Sequence, residues 1–261
     1  MLAYHKVDTR FELGVNSVTP ARFARHLSTL LDLGMRAVDL PTLLDSVGEG
    51  PRSGPPRVHL TFDDGYRNFL DHAWPVCRAH GFPATVFPVA AYVGRENTWD
   101  ISFPRTRHLS WSDLRELSDA GVSIGAHTDT HPFLTRIAFA RARQEIRDSR
   151  RRLEDGLGVP VRVFAYPHGD SSAAVRSLVE DAGYEAAFSL DPGAQFGEAE
   201  RWRLPRTGVY AVDGPRAVAA KVGARGPRAM HRAWAVNRLF RRCGYAGQLV
   251  PRRTERSDPR A

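Results

Sequence analysis

The chain has 261 residues, 42% of them hydrophobic and 25% charged, which is enough apolar material for a sizeable core in one large domain or two small ones. No apolar run approaches the ~18 residues that span a bilayer, and two cysteines cannot build a disulfide framework, so Cys77 and Cys243 are expected as free thiols. The net charge of +8 is concentrated: residues 216–261 hold twelve Lys and Arg against two acids, a local +10 that leaves −2 for the rest, so no nucleic-acid partner is expected.

The opening segment Met1 to Lys6 lacks the basic-then-apolar order of a signal peptide, and a cytoplasmic location is the resulting expectation. Short apolar stretches then alternate with helical patterns, which reads as repeated β-α units around a mostly parallel sheet. Strands are expected at 2–6, 36–38, 57–62, 84–88, 122–126, 161–165, 185–189 and 206–210. A helix between the first two is signalled by Thr19 as cap, Pro20 in the first turn, a stripe of Phe23, Leu27, Leu30 and Leu31, and Gly34 at its end. A second helix over 110–120 opens on Ser110 with Asp113 three residues on. A third spans 137–157, and its Arg150-Arg151-Arg152 run reads as a solvated face.

Residues 49–56 form a rigid surface connection, while the loop 92–109 is long for a compact domain. Trp99, Asp100, Phe103 and His108 make that loop a candidate substrate wall. After 215 the basic stretch begins, and Pro227 can start a helix with Met230, Ala233, Val236, Phe240 and Cys243 on one arc and arginines on the other. The expected division is therefore a catalytic body over 1–215 and a basic C-terminal helix with a disordered tail over 216–261. Packing of that helix on the body is the plainer reading, with weak contact to an anionic membrane surface as the alternative.

Three segments carry chemistry. Thr61-Phe62-Asp63-Asp64-Gly65-Tyr66 ends a strand, where parallel α/β folds bind ligands, and its adjacent carboxylates need compensation by a cation or by hydrogen bonds. His127-Thr128-Asp129-Thr130-His131 follows another strand, and histidines four apart can reach one ion. Together these supply two histidines and one carboxylate, a facial set with open positions. Phe164-Ala165-Tyr166-Pro167-His168-Gly169 is an aromatic turn after a third strand, suited to the floor of a sugar pocket.

TFDDG, HTxxH and FAYPxG in this order resemble the polysaccharide deacetylases, carbohydrate esterase family 4 with the NodB-homology domain, from about residue 2 to about residue 210. The resemblance implies a distorted (β/α)7-type barrel and a metal-dependent hydrolase that removes N-acetyl groups from an N-acetylated sugar or polysaccharide. It implies that Asp64, His127 and His131 ligate a divalent metal, zinc first and cobalt, nickel or manganese as alternatives. Asp63 would be the general base, the Tyr66 amide an oxyanion donor, and Tyr166, Pro167 and Trp111 groove residues. Two positions depart from the pattern: Ala165 stands where many members hold the catalytic aspartate with an arginine, and His168 replaces the more usual aromatic. Arg206 is the candidate replacement partner for Asp63.

No histidine after Arg206 lies in a recognisable acid motif; His231 sits in the basic stretch. The opening Tyr4-His5-Lys6-Val7 instead resembles the YHxV start of the exopolysaccharide N-acetylglucosamine branch, whose strand order is permuted. It implies His5 as the catalytic acid beside the metal. An amide hydrolase acting on a small non-sugar substrate, and a non-catalytic sugar-binding relative, are the competing readings.

Overall fold

In a computed structural model, the described residues are 1–10, 15–48, 54–98, 106–193 and 196–246. The strands are β1 (Leu2–Tyr4), β2 (Lys6–Val7), β3 (Ser17–Val18), β4 (Arg36–Ala37), β5 (Arg57–Val58), β6 (Leu60–Asp64), β7 (Ala84–Pro88), β8 (Ser123–Ile124), β9 (Val163–Ala165), β10 (Ala186–Phe188) and β11 (Thr207–Gly208). The helices are α1 (Pro20–Asp32), α2 (Leu40–Asp45), α3 (Trp74–Ala79), α4 (Trp111–Asp119), α5 (Phe139–Leu157), α6 (Ala173–Asp181), α7 (Pro215–Lys221) and α8 (Pro227–Ala246).

Five strands form a parallel sheet in the order β11-β1-β6-β7-β8, and β9 pairs in parallel with β10. Two single parallel bridges, Ala126 to Phe164 and Phe188 to Leu204, link the pair to the sheet on both sides. Strand pairing thus runs round a distorted barrel with two thin seams. The first strand occupies the slot between β11 and β6, with Tyr4 in register with Phe62.

The period-2 alternation of strands divides the core into two layers. Leu60, Phe62, Val86, Phe164 and Tyr166 belong to the larger cluster, with helix residues such as Phe23, Leu27 and Ile146. Phe87, Val163, Ala165, Ala186, Phe188 and Leu204 form a second cluster inside the barrel. Asp63 and Arg206 are buried on that inner side.

All eight expected strand regions carry strand, although His5 and His59 each interrupt one, and β3 adds a ninth region. Thr19 caps α1 by accepting from the Arg22 amide at 3.3 Å, and Phe23, Leu27 and Leu30 are buried. Leu31 is 46% exposed, because one more residue turns the helix about 100° past the buried stripe. Ser110 and Asp113 form a capping box on α4. On α5 the arginine run is a solvated, ion-paired face: Arg150 meets Glu154, Arg151 meets Asp148 and Arg152 meets Asp129. The sequence does not announce α2, α3 or α6, which are only six to nine residues long and carry little periodic signal.

The body continues past the expected boundary at 215. α7 packs on α1, and Lys221, buried, donates to the Gly208 carbonyl at 2.7 Å and pairs with Asp213. α8 then packs on α7, burying Asn237 and half-burying Met230, Ala233 and Trp234. Val236, expected on the inward arc, is exposed, so the packed face follows 230, 233–234 and 237. The side chains of Phe240 and Cys243, and residues 247–261, lie outside the described residues; Cys77 is a buried free thiol. No described helix is long and apolar enough to cross a membrane.

Gly125 tests how tightly the barrel interior is filled. A Cβ there would lie 2.3 Å from the Phe87 ring and 3.0 Å from Val163 Cγ2. Gly125→Ala is therefore expected to lower stability by about 1–3 kcal/mol in urea unfolding, as overpacking does. An unchanged midpoint would show slack in the lumen.

Candidate active site

The strand β6 delivers two consecutive carboxylates with different surroundings. Asp63 faces the barrel interior and is fully enclosed, as is Arg206 on the segment leading into β11. The guanidinium grips the carboxylate with two parallel bonds, Nη1 to Oδ1 at 2.6 Å and Nη2 to Oδ2 at 2.9 Å. Arg206 is itself fixed by donating from Nε to the Ser189 carbonyl at 3.0 Å and from Nη1 to Thr61 Oγ1 at 3.0 Å. Its charge lies 5.3 Å from the Phe87 ring centroid and 5.9 Å from that of Phe188. Burial alone raises the Asp63 pKa, but the charge of Arg206, with His127 and His5, outweighs it and holds the carboxyl below the ordinary 3.8.

Asp64 points elsewhere. Its φ is +71°, followed by Gly65 at +66°, where a Cβ would meet the Pro88 backbone at 2.7 Å. Asp64 Oδ1 lies 3.3 Å from His131 Nε2 and 3.7 Å from His127 Nε2. One ligand atom from each of Asp64, His127 and His131 lies within 4.8 Å of the others, and all three residues are buried. His127 Nδ1 is 2.7 Å from the Ala165 carbonyl, which can only accept, so Nδ1 carries the proton and Nε2 presents its lone pair to the cluster. Burial lowers the His127 pKa to about 4 and that of His131 well below its usual value, so both imidazoles are neutral at neutral pH. Two neutral imidazoles and one carboxylate suit a divalent first-row ion.

The backbone here is held in conformations that side chains resist. Among described residues, the non-glycine positions with positive φ are Asp64, Thr128, His131 and His168, all at this end of the barrel. Thr128, fully buried, accepts from the His131 amide at 2.9 Å and so closes the loop between the histidines. Thr130 donates from its amide and hydroxyl to buried Glu145 at 2.7 and 2.6 Å, tying the loop to α5. The sequence motifs assign no role to Thr128 or Glu145. An acid on the buried stripe of Ala142, Ile146, Ser149 and Leu153 was the available signal.

His5 follows β1, level with Asp63 by the strand register, and is an electrostatic neighbour of Asp63, His127, His131 and His168. Tyr66 is buried, its hydroxyl accepting from Asn97 Nδ2 at 3.0 Å. The three expected groove residues are packed against the protein itself. Tyr166 is fully buried and donates to the Trp202 carbonyl at 2.8 Å, because strand alternation carries it with Phe164 into the layer under the helices. Pro167 is buried as well. Trp111 lies across Gly156 of α5, where a Cβ would meet its ring at 2.2 Å. The third motif contributes instead the Ala165 carbonyl and His168, whose ring stacks on Phe133 at 4.0 Å and meets His131 edge-on at 4.6 Å. His108 is buried near Asp64, while Trp99, Asp100 and Phe103 lie outside the described residues.

Arg206→Met would leave a buried carboxylate without its cation, a loss of about 3–5 kcal/mol at neutral pH. In the parent chain the lowered Asp63 pKa contributes stability above 3.8 that disappears as pH falls through the folded value. In the variant that pKa rises, so acidification should favour the folded form and shrink the difference between the two proteins. Urea unfolding at pH 7 and pH 4 checks this; an equal gap at both would contradict it.

Residues 50–187 match the family model described as polysaccharide deacetylase. YxkH of Bacillus subtilis (strain 168), named among the polysaccharide deacetylases, is 24% identical over 209 residues, 80% of this chain and 70% of YxkH. The poly-beta-1,6-N-acetyl-D-glucosamine N-deacetylase of Escherichia coli (strain K12) is 25% identical over 190 residues, 59% of this chain but only 28% of that protein. In fold, the chain is similar to the Streptococcus pyogenes deacetylase PplD in complex with acetate, with a TM-score of 0.71 at 20% identity over 82% of this chain and 93% of that one. The family match spans more than half the sequence and takes in the paired aspartates, both histidines and the FAYP turn, and the chain belongs to the polysaccharide deacetylase family.

Proposed function

We propose that this chain removes N-acetyl groups from an N-acetylglucosamine exopolysaccharide, with one divalent metal, zinc by preference, held by Asp64, His127 and His131. The observation that carries the reading is the separation of roles between neighbours: Asp63 locked by Arg206, Asp64 turned to the two histidines. The substrate class is supported by the name of the Escherichia coli relative, of which this chain matches the smaller part.

When bound, the ion polarises the acetyl carbonyl and acidifies water. Asp63, ionised at neutral pH, accepts the proton of the attacking water as its oxygen adds to the carbonyl carbon. The arginine grip keeps one carboxylate orientation throughout, and each oxygen retains a lone pair for the incoming proton. The Tyr66 amide N–H donates to the oxyanion. His5 gives its proton to the amide nitrogen as the C–N bond breaks, so acetate and a free amine leave. His5 then needs a proton, and Asp63 must lose one, before the next cycle.

Acetate release from β-1,6- and β-1,4-linked N-acetylglucosamine oligomers is the test. Release favouring the β-1,6 linkage, abolished by chelation and restored by zinc, is expected; chelator-insensitive release, or none from any N-acetylated saccharide, would contradict the proposal. In the same assay Asp63→Asn and His5→Ala should each lose roughly 10²-fold in turnover. Near-normal turnover of either variant would remove that residue from its role.

A further inference from the structure

The segments 94–98 and 106–109 pair side by side as the base of a ribbon that is fastened to the turn after β6. Its two sides are joined by Gly94 to Leu109, His108 to Arg95 and Asn97 to Thr106 backbone bonds of 2.8 Å each. The returning side then pairs antiparallel with the β6 turn, through Arg67 to Arg107 at 2.8 Å and Leu109 to Gly65 at 2.9 Å. Two side chains strengthen the junction from the ribbon. His108 Nδ1 lies 2.9 Å from the Asp64 carbonyl, and Asn97 holds the Tyr66 hydroxyl. The His108 ring lies along the Tyr66 ring at 4.8 Å, and the Lys6 ammonium sits 4.5 Å from the Tyr66 centroid. Lys6, Tyr66, Asn97 and His108 are all buried. Lys6 and Lys221 are the only lysines beside 35 arginines, and both are buried, where a slim stem and compact ammonium fit more readily than a planar fork.

We infer that His108 is a positioning residue for Asp64: its Nδ1–H donates to the Asp64 carbonyl and, with the ribbon behind it, holds that residue in the left-handed conformation from which its carboxylate meets His127 and His131. The inference rests on reading Asp64 as a metal ligand. A left-handed aspartate is disfavoured on its own and persists only where its surroundings over-determine it. A carbonyl oxygen can only accept, so the bond fixes the His108 proton on Nδ1 and uses the ring as a strut. The base acts on the ligand, and its removal is read in metal affinity before any substrate is present.

Zinc affinity, measured by competition with a fluorescent chelator, tests the inference on four proteins: the parent, His108→Phe, His108→Asn and His26→Phe. His108→Phe keeps a ring but removes the donor, and a loss of about 10–100-fold in affinity is expected, as for other groups that orient ligands. His108→Asn can place its amide N–H where Nδ1 stood and should recover most of that loss. His26 is a fully buried histidine bonded to the Asp213 carbonyl at 2.9 Å, outside the ligand cluster; its loss should lower stability and leave zinc affinity unchanged. Parent-like affinity in His108→Phe, no recovery in His108→Asn, or an equal loss in His26→Phe would each overturn the inference. A parent chain that binds no zinc would instead overturn the ligand reading beneath it.

Discussion

Two carboxylates on consecutive residues of one buried strand end repel each other, and the site is organised around separating them. Strand alternation sends Asp63 into the barrel, where Arg206 neutralises it. Continued alternation would send Asp64 outward, into the apolar layer that holds Phe62 and Val86. The switch to φ +71° at Asp64 breaks that alternation and brings its carboxylate to His127 and His131. The strain at Thr128, His131 and His168 belongs to the same solution, since each lies in a loop that delivers or backs a member of the Asp64, His127 and His131 cluster. Local backbone cost here is the condition for two acids to do two different things.

The barrel order lets residues from opposite ends of the chain meet. β1 lies between β6 and β11, so Asp63 has His5 just after the neighbouring first strand and Arg206 on the segment that enters the last. Arg206, just before β11, grips the Asp63 carboxylate at two points, while Ala165 on β9 has no charge to offer it. Ala165 serves in another way, through its carbonyl on His127.

Much of this was legible in the sequence. Strand regions stood out as apolar runs, α4 announced itself by the Ser110 and Asp113 spacing, and the three motifs pointed to the cluster that the barrel assembles. Arg206 was reachable by asking which cation could replace a missing one. Other features were hidden for physical reasons. An aromatic residue after a strand reads as a groove wall until the alternation phase shows that Tyr166 goes under the helices. The resemblance alone put Trp111 in the groove, and its packing on Gly156, distant in sequence, has no local signal. His108 and Glu145 bond to positions 44 and 15 residues away, and no local pattern names those partners. The boundary at 215 followed charge composition, whereas α7 is held by the buried Lys221 and Asp213 pair, a contact that composition cannot show.

The division between the two aspartates is most directly tested by metal content. Each protein would be loaded with zinc, desalted and measured by elemental analysis: the parent, Asp63→Asn and Asp64→Asn. One equivalent per chain in the parent and in Asp63→Asn, with none or nearly none in Asp64→Asn, is the outcome that separate roles require. Zinc retained without Asp64, or lost with Asp63 alone while the chain stays folded, would contradict it.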